Sequence, residues 1–375
     1  MKRILFGIDS YFQLILAINL RITVYKNEEA DIIIYNSVPS ADKVVNRLRE
    51  CQVFQNVWIT NTSLTKCGNK FSSIQKLPKY LAYLLTLIVP KTVLKSIIKD
   101  RFNNKYDEFI FNGFGALPEC IFNSAYKNNN NIKCKRIEDG YMSYITVYLT
   151  HKSFARKVLE SISAVLFNRK NINNFIDGYY LEDVNLCVVD MPYPIIQAPK
   201  VNRSNKQLVE ILNKVFDYNH DPLLENKQIF LFEDGRHFFS GSDEEMVIIS
   251  EIAKRVGKDN IVVKMHPRRT VNRWATLGID IIKSYNVPWE LIQLNNNCSG
   301  KFFLTVSSAV VFSSSLYFGD NCKNILLYKC LRESAEGLDD KFDTFVKRFM
   351  KIYGESSILI PKNYDELMNY IIKEN

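Results

Sequence analysis

Short apolar runs alternate along the chain with stretches whose apolar residues recur every three or four positions, the pattern of buried parallel strands joined by helices. In the first half the runs Arg3–Ile8, Asp31–Tyr35, Val57–Thr60, Glu108–Phe111 and Lys133–Ile137 predict strands. Helical spacing falls between them at Tyr11–Leu20, Ala41–Cys51 and Tyr80–Lys99. The rhythm returns in the second half, with strands expected at Gln228–Phe232, Ile261–Met265, Lys301–Val306 and Asn324–Tyr328. Helices are expected there at Asp243–Val256, Pro288–Leu294 and Asp339–Ile352. The densest proline cluster, Met191-Pro192-Tyr193-Pro194 followed by Pro199 and a polar stretch through Ser204, marks a junction near residue 200. The expected fold is α/β, with two Rossmann-like domains, 1–200 and 201–375, facing a central cleft at the carboxyl ends of their strands.

Composition narrows the class. With 375 residues, 47% of them hydrophobic and only 14 Gly and 11 Pro, the chain can bury a large core and is neither disordered, fibrous nor a small disulfide scaffold. The excess of 49 Lys and Arg over 40 Asp and Glu, a net +9, favours an anionic partner: a nucleotide, a nucleic acid or an acidic membrane surface. The eight cysteines form no C-x-x-C pair and have no histidine at zinc-finger spacing, so no structural zinc is expected. Met1 to Asp9 lacks a small-residue cleavage site and reads as a first strand. Leu77–Ile98, the most apolar stretch, is broken by Pro78 and Pro90 and carries three lysines, which is incompatible with an uninterrupted span of roughly 20 apolar residues. A cytoplasmic protein with reduced thiols is expected.

Candidate chemistry sits at strand ends. His266 follows the run Ile261-Val262-Val263-Lys264-Met265 and precedes Pro267-Arg268-Arg269, placing an imidazole in a basic turn where a departing phosphate could be hydrogen-bonded or protonated. An exposed basic loop behind a strand gives the same short motif. Acidic pairs followed by glycine end two runs, Ile137-Glu138-Asp139-Gly140 and Phe232-Glu233-Asp234-Gly235. Paired carboxylates raise each other's proton affinity, as a general base for a sugar hydroxyl requires, although Asp-Gly is also ordinary turn chemistry. Thr305-Val306-Ser307-Ser308 ends a further run, making Ser307 and Ser308 either phosphate ligands or an ordinary helix cap. Glu290, in Val287-Pro288-Trp289-Glu290, stands equally as a cap or as an acceptor for ribose hydroxyls. The chain has no P-loop, no complete dinucleotide fingerprint, no G-x-S-x-G elbow and no H-E-x-x-H helix. No two aspartates stand two apart, so the D-x-D metal clamp of many nucleotide-sugar transferases is missing.

In their order, E-D-G, then H-P, then S-S, these motifs resemble those of the bacterial sialyltransferases. Ser10-Tyr11-Phe12-Gln13-Leu14-Ile15-Leu16-Ala17-Ile18-Asn19 and Val287-Pro288-Trp289-Glu290-Leu291-Ile292 look most like the lipooligosaccharide type and its capsular relatives. The two-domain pattern likewise resembles the GT-B glycosyltransferase architecture. The resemblance implies inverting, metal-independent transfer of sialic acid from CMP-Neu5Ac to a galactose hydroxyl of a lipooligosaccharide, O-antigen or capsule, without a cofactor. It makes 1–200 the acceptor domain and 201–375 the CMP-sugar domain. It implies His266 as general acid on the CMP phosphate, Arg268 in the nucleotide pocket, Glu290 on the ribose, and Ser307 with Ser308 on the phosphate. The base stays open: the first acidic motif offers Glu138 or Asp139, whereas the lipooligosaccharide type points to Asp234, Asp243 or Glu244, with Asp243 and Asp139 ranked above Asp234. Asp243 also opens a helix, where an acidic residue serves as cap and dipole partner.

The apolar and basic stretches Leu77–Lys99 and Phe154–Arg169 would suit a peripheral enzyme on the inner membrane beside its acceptor, or two core helices. The resemblance also admits a homodimer. Rival readings are a related transferase using another CMP- or UDP-activated sugar, and a non-catalytic basic module for nucleic acid or membrane. The second lacks an RRM aromatic signature, a KH loop and a concentrated basic stripe, and no nucleic-acid partner is expected.

Overall fold

β1 (Arg3–Ile8) is covered on both faces, with Ile4, Leu5, Phe6 and Ile8 inaccessible to solvent, as a parallel strand between helical layers must be. The computed structural model that shows this describes residues 1–38, 40–60, 104–113, 116–147, 161–162, 164–165, 169–234, 244–267, 269, 271–283, 287–331, 338 and 340–374. The expected helix Tyr80–Lys99 therefore lies outside the described residues, as do Asp243 and Arg268. So do the two apolar and basic stretches, apart from Ser161, Ile162, Ala164, Val165 and Arg169. Among the described residues no helix is long and apolar enough to cross a membrane.

The chain divides into two compact units, Met1–Pro199 and Lys200–Asn375. In the first, β2 (Glu29–Ile34), β3 (Asn56–Ile59), β4 (Glu108–Phe111), β5 (Lys133–Ile137), β6 (Ile176–Leu181) and β7 (Ile195–Gln197) join β1 in one parallel sheet ordered β3-β2-β1-β4-β5-β6-β7. Because β4 returns to the far side of β1, Ile4 pairs with Ala30 on one flank and Glu108 on the other. The β1/β4 boundary is thus a topological switch point, where such sheets take ligands. α1 (Tyr11–Thr23) is buried nearly all round, whereas α2 (Ala41–Cys51) buries only the stripe Ala41, Val44, Val45 and Leu48. α3 (Ala116–Tyr126) packs Cys120, Ile121, Phe122 and Ala125 into the core with Phe109 and Phe111.

The second unit repeats the plan. β8 (Ile229–Phe232), β9 (Ile261–Lys264), β10 (Asp280–Ile281), β11 (Phe302–Thr305) and β12 (Lys323–Leu326) form a parallel sheet ordered β10-β9-β8-β11-β12. Its switch point lies between β8 and β11, which pair from Phe302↔Ile229 to Leu304↔Leu231. Around it run α4 (Lys206–Phe216), α5 (Glu244–Val256), α6 (Trp289–Asn295), α7 (Asp340–Tyr353) and α8 (Tyr364–Glu374). The α6 residue Trp289 meets Phe232, Phe303 and Phe230 with ring centroids 4.6, 5.2 and 5.7 Å apart, in edge-on or tilted contacts that lock this helix to the sheet.

The proline-rich stretch does more than join the units. Pro194 accepts from the Tyr179 N–H at 2.9 Å, and the three residues after it add β7 to the edge of the first sheet, where a preceding proline costs no ladder bond.

Candidate functional site

The carboxyl ends of β8, β9 and β11 carry three of the sequence motifs. Asp234 stands two residues beyond β8 and Ser307 two beyond β11, and across the switch point the Ser307 hydroxyl donates to the Asp234 carboxylate. Both residues are buried. The two serines are not equivalent. Ser308 is partly exposed, its N–H donates to Thr305 Oγ1 at 3.2 Å, and its Oγ accepts the Val310 N–H at 3.5 Å at the head of a helical turn. An accepting Ser308 oxygen keeps its own proton for a ligand, whereas the Ser307 proton is held by a carboxylate.

His266 stands two residues beyond β9, in a turn closed by the Arg269 N–H donating to its carbonyl at 2.8 Å. The basic turn is not a bare positive field. Arg269 Nε lies 3.5 Å and Arg273 Nε 3.3 Å from the Glu233 carboxylate, and Arg273 also pairs with Glu245 of α5. The acidic pair therefore splits: Glu233 turns to the arginines and Asp234 to Ser307.

Lys264, the last residue of β9, is 6% exposed. Burial lowers its ammonium from the usual 10.5 to about 7, against an opposing pull from Glu290. Glu290 lies in the first turn of α6; burial raises its carboxyl, opposed by a backbone hydrogen bond and by Lys264. Because the unfolded chain keeps the Lys264 proton up to about pH 10.5, this group should make stability rise with pH between about 7 and 10.5 and contribute no further change below about 7, where both states hold the proton. Lys264→Met should therefore stabilise the fold at pH 6 by up to about 5 kcal/mol, with the gain shrinking towards pH 10. Calorimetric melting at the two pH values reads this directly, and a gain independent of pH would contradict it.

At the first sheet the E-D-G motif also splits. Glu138 is buried and accepts from Tyr144 OH at 2.6 Å and the Glu182 N–H at 2.8 Å, so it is a structural anchor. Asp139 is exposed, because Gly140 turns the chain at φ 67° and the Asp139 N–H donates to Ser143 Oγ at 2.7 Å. Its Oδ1 accepts from Ser10 Oγ at 3.1 Å. Ser10 also caps α1 by accepting the Gln13 N–H at 3.2 Å, so one hydroxyl links the ends of β1 and β5. Gly113, at φ 86° beyond β4, sits so close to Asp9 that an added Cβ would lie 3.1 Å from Asp9 Oδ2. Asp9, Ser10 and Asp139 thus gather around the first switch point.

Ser10 and Glu233 were absent from the site residues expected from sequence. Both lie inside quoted motifs, but their partners are 129 and 33 residues away, beyond any local pattern. Among the described residues no group of three or more His, Cys, Asp and Glu side chains could hold a metal ion, and the described cysteines are free thiols.

No protein-family model and no curated protein matches the chain. Solved structures do. An α/β-galactoside α-2,3-sialyltransferase from Photobacterium phosphoreum superposes with a TM-score of 0.53 at 14% identity, covering 96% of this chain and 98% of its own. The glycosyltransferase of kitacinnamycin gives 0.54 at 11% identity, over 100% and 90%. A Listeria monocytogenes protein named as a UDP-N-acetylglucosamine 2-epimerase gives 0.52 at 12% identity, over 100% and 87%. At such identities the likeness establishes the fold, which is GT-B-like.

Proposed function

We propose that the chain is an inverting, metal-independent glycosyltransferase that moves sialic acid from CMP-Neu5Ac to a galactoside hydroxyl of a bacterial surface glycan. The observation that carries this reading is the gathering of His266, Asp234, Ser307, Ser308 and Glu290 along one carboxyl edge of the second sheet, at its switch point. In this reading the acceptor oxygen attacks the anomeric carbon as its bond to the CMP phosphate breaks, and CMP leaves with the electron pair. His266 gives a proton to the phosphate and Ser308 donates a hydrogen bond to it, while Ser307, whose hydroxyl is held by Asp234, becomes a second donor if it turns from that carboxylate to the phosphate. Glu290 accepts from the ribose hydroxyls, and Arg268 lines the nucleotide pocket. The acceptor proton goes to a carboxylate. Asp139 fits that role best among the described candidates, because it is exposed and oriented by Ser10, whereas Asp234 is buried and committed to Ser307.

A second reading, transfer from a UDP- or another CMP-activated sugar, draws support from the likeness to the epimerase fold. Ligand-induced thermal shifts discriminate the two. CMP at about 100 times its dissociation constant should add about 2.7 kcal/mol to stability while UDP adds little. Stabilisation by UDP alone would move the assignment to the second reading.

A further inference from the structure

The Glu233 carboxylate has no solvent exposure. An ionised carboxylate taken out of water is costly unless it is paired and hydrogen-bonded, so where its partners come from shows what it organises. Among the described residues, every partner of this carboxylate comes from one segment. Oε2 accepts the backbone N–H of His266 at 3.2 Å and lies 3.5 Å from Arg269 Nε; Oε1 accepts Trp274 Nε1–H at 2.8 Å and Arg273 Nε–H at 3.3 Å. The far end of the segment is itself fixed, with Trp274 fully buried, its N–H held by Asn272 Oδ1 at 3.0 Å, and the Arg273 guanidinium 4.7 Å over its ring. Arg273 then reaches Glu245 on α5. One carboxylate at the end of β8 therefore fastens both ends of the 266–274 turn.

We propose that Glu233 is a positioning residue for His266, holding the backbone that carries the imidazole and offsetting the two guanidiniums beside it. This rests on the proposed role of His266 in the transfer. Among the described residues, the charges around the turn are Glu233 and Asp234 from the end of β8, Lys264 from β9, Arg269 and Arg273 from the turn itself, Glu245 from α5, and Glu290 of α6 acting on Lys264. Removing the Glu233 charge leaves the arginines under-compensated, which disfavours the imidazolium. Removing the Arg273 charge does the reverse. A loss of packing alone cannot produce shifts of opposite sign.

The test is NMR titration of the His266 imidazole, identified by its absence in His266→Ala, in the wild type, Glu233→Gln and Arg273→Gln. The titration midpoint should fall by about one pH unit in Glu233→Gln and rise in Arg273→Gln. In Glu233→Gln, kcat for CMP release should drop at least about tenfold with the donor KM within about threefold of wild type. Wild-type midpoints in both folded variants would overturn the proposal. Should Glu233→Gln not fold, an unchanged midpoint in Arg273→Gln overturns it alone. Shifted midpoints in a protein whose wild type releases no CMP would leave Glu233 as the organiser of this turn and reject the transfer reaction instead.

Discussion

Replacing His266 with alanine should lower kcat for transfer by about 10²- to 10⁴-fold, the range for loss of a positioned acid, while the donor KM stays within about threefold. The asymmetry follows from where the side chain stands. His266 lies beyond β9 on a turn whose backbone is held by Glu233, so truncating the imidazole ring leaves the turn in place. In the proposed transfer, ground-state binding of the nucleotide would fall to Ser308, Glu290 and Arg268, while charge would build on the leaving phosphate only as its bond to the sugar breaks. A variant that raised KM and spared kcat would make His266 a binding group and leave the acid unassigned.

Asp139→Asn should be nearly as damaging, with kcat down by about 10³-fold and CMP binding unchanged. The amide keeps the shape and can still accept from Ser10, so under the proposed assignment only the ability to take the acceptor proton would be lost. Asp234→Asn should behave differently. Its carboxylate is buried and accepts the Ser307 proton, so its loss should loosen the serine and raise the donor KM. Steady-state kinetics on the two variants separate the roles, and a kcat collapse confined to Asp234→Asn would move the base into the second unit.

Nine of the twelve strands among the described residues can be read from sequence: β1, β3, β4, β5, β8, β9 and β11 lie within one residue of their expected limits, and β2 and β12 within two. The others are hidden for physical reasons. β6 carries Asp177 and Gly178 in its middle, β7 follows a proline and spans three residues, and β10 is two residues long. α3 has Pro118 in its first turn, where a missing N–H breaks no helical bond but obscures the helical pattern. At the site, strand-end placement of His266, Asp139, Asp234 and Ser307 was legible because each follows an apolar run. Which carboxylate faces solvent was not, since Glu138 and Asp139 are neighbours with identical local signals and only Tyr144 and the Glu182 N–H claim the first. The division of Glu233 from Asp234 likewise depends on Trp274, Arg273 and Ser307, which the fold alone brings together.

The most direct measurement is acceptor-dependent release of CMP from CMP-Neu5Ac on lactose or a lactoside, with EDTA present and UDP-sugars assayed in parallel. The account predicts CMP release that needs the acceptor, survives EDTA and vanishes in His266→Ala. Release of UDP from a UDP-sugar, with CMP-Neu5Ac left intact across galactoside acceptors, would contradict it.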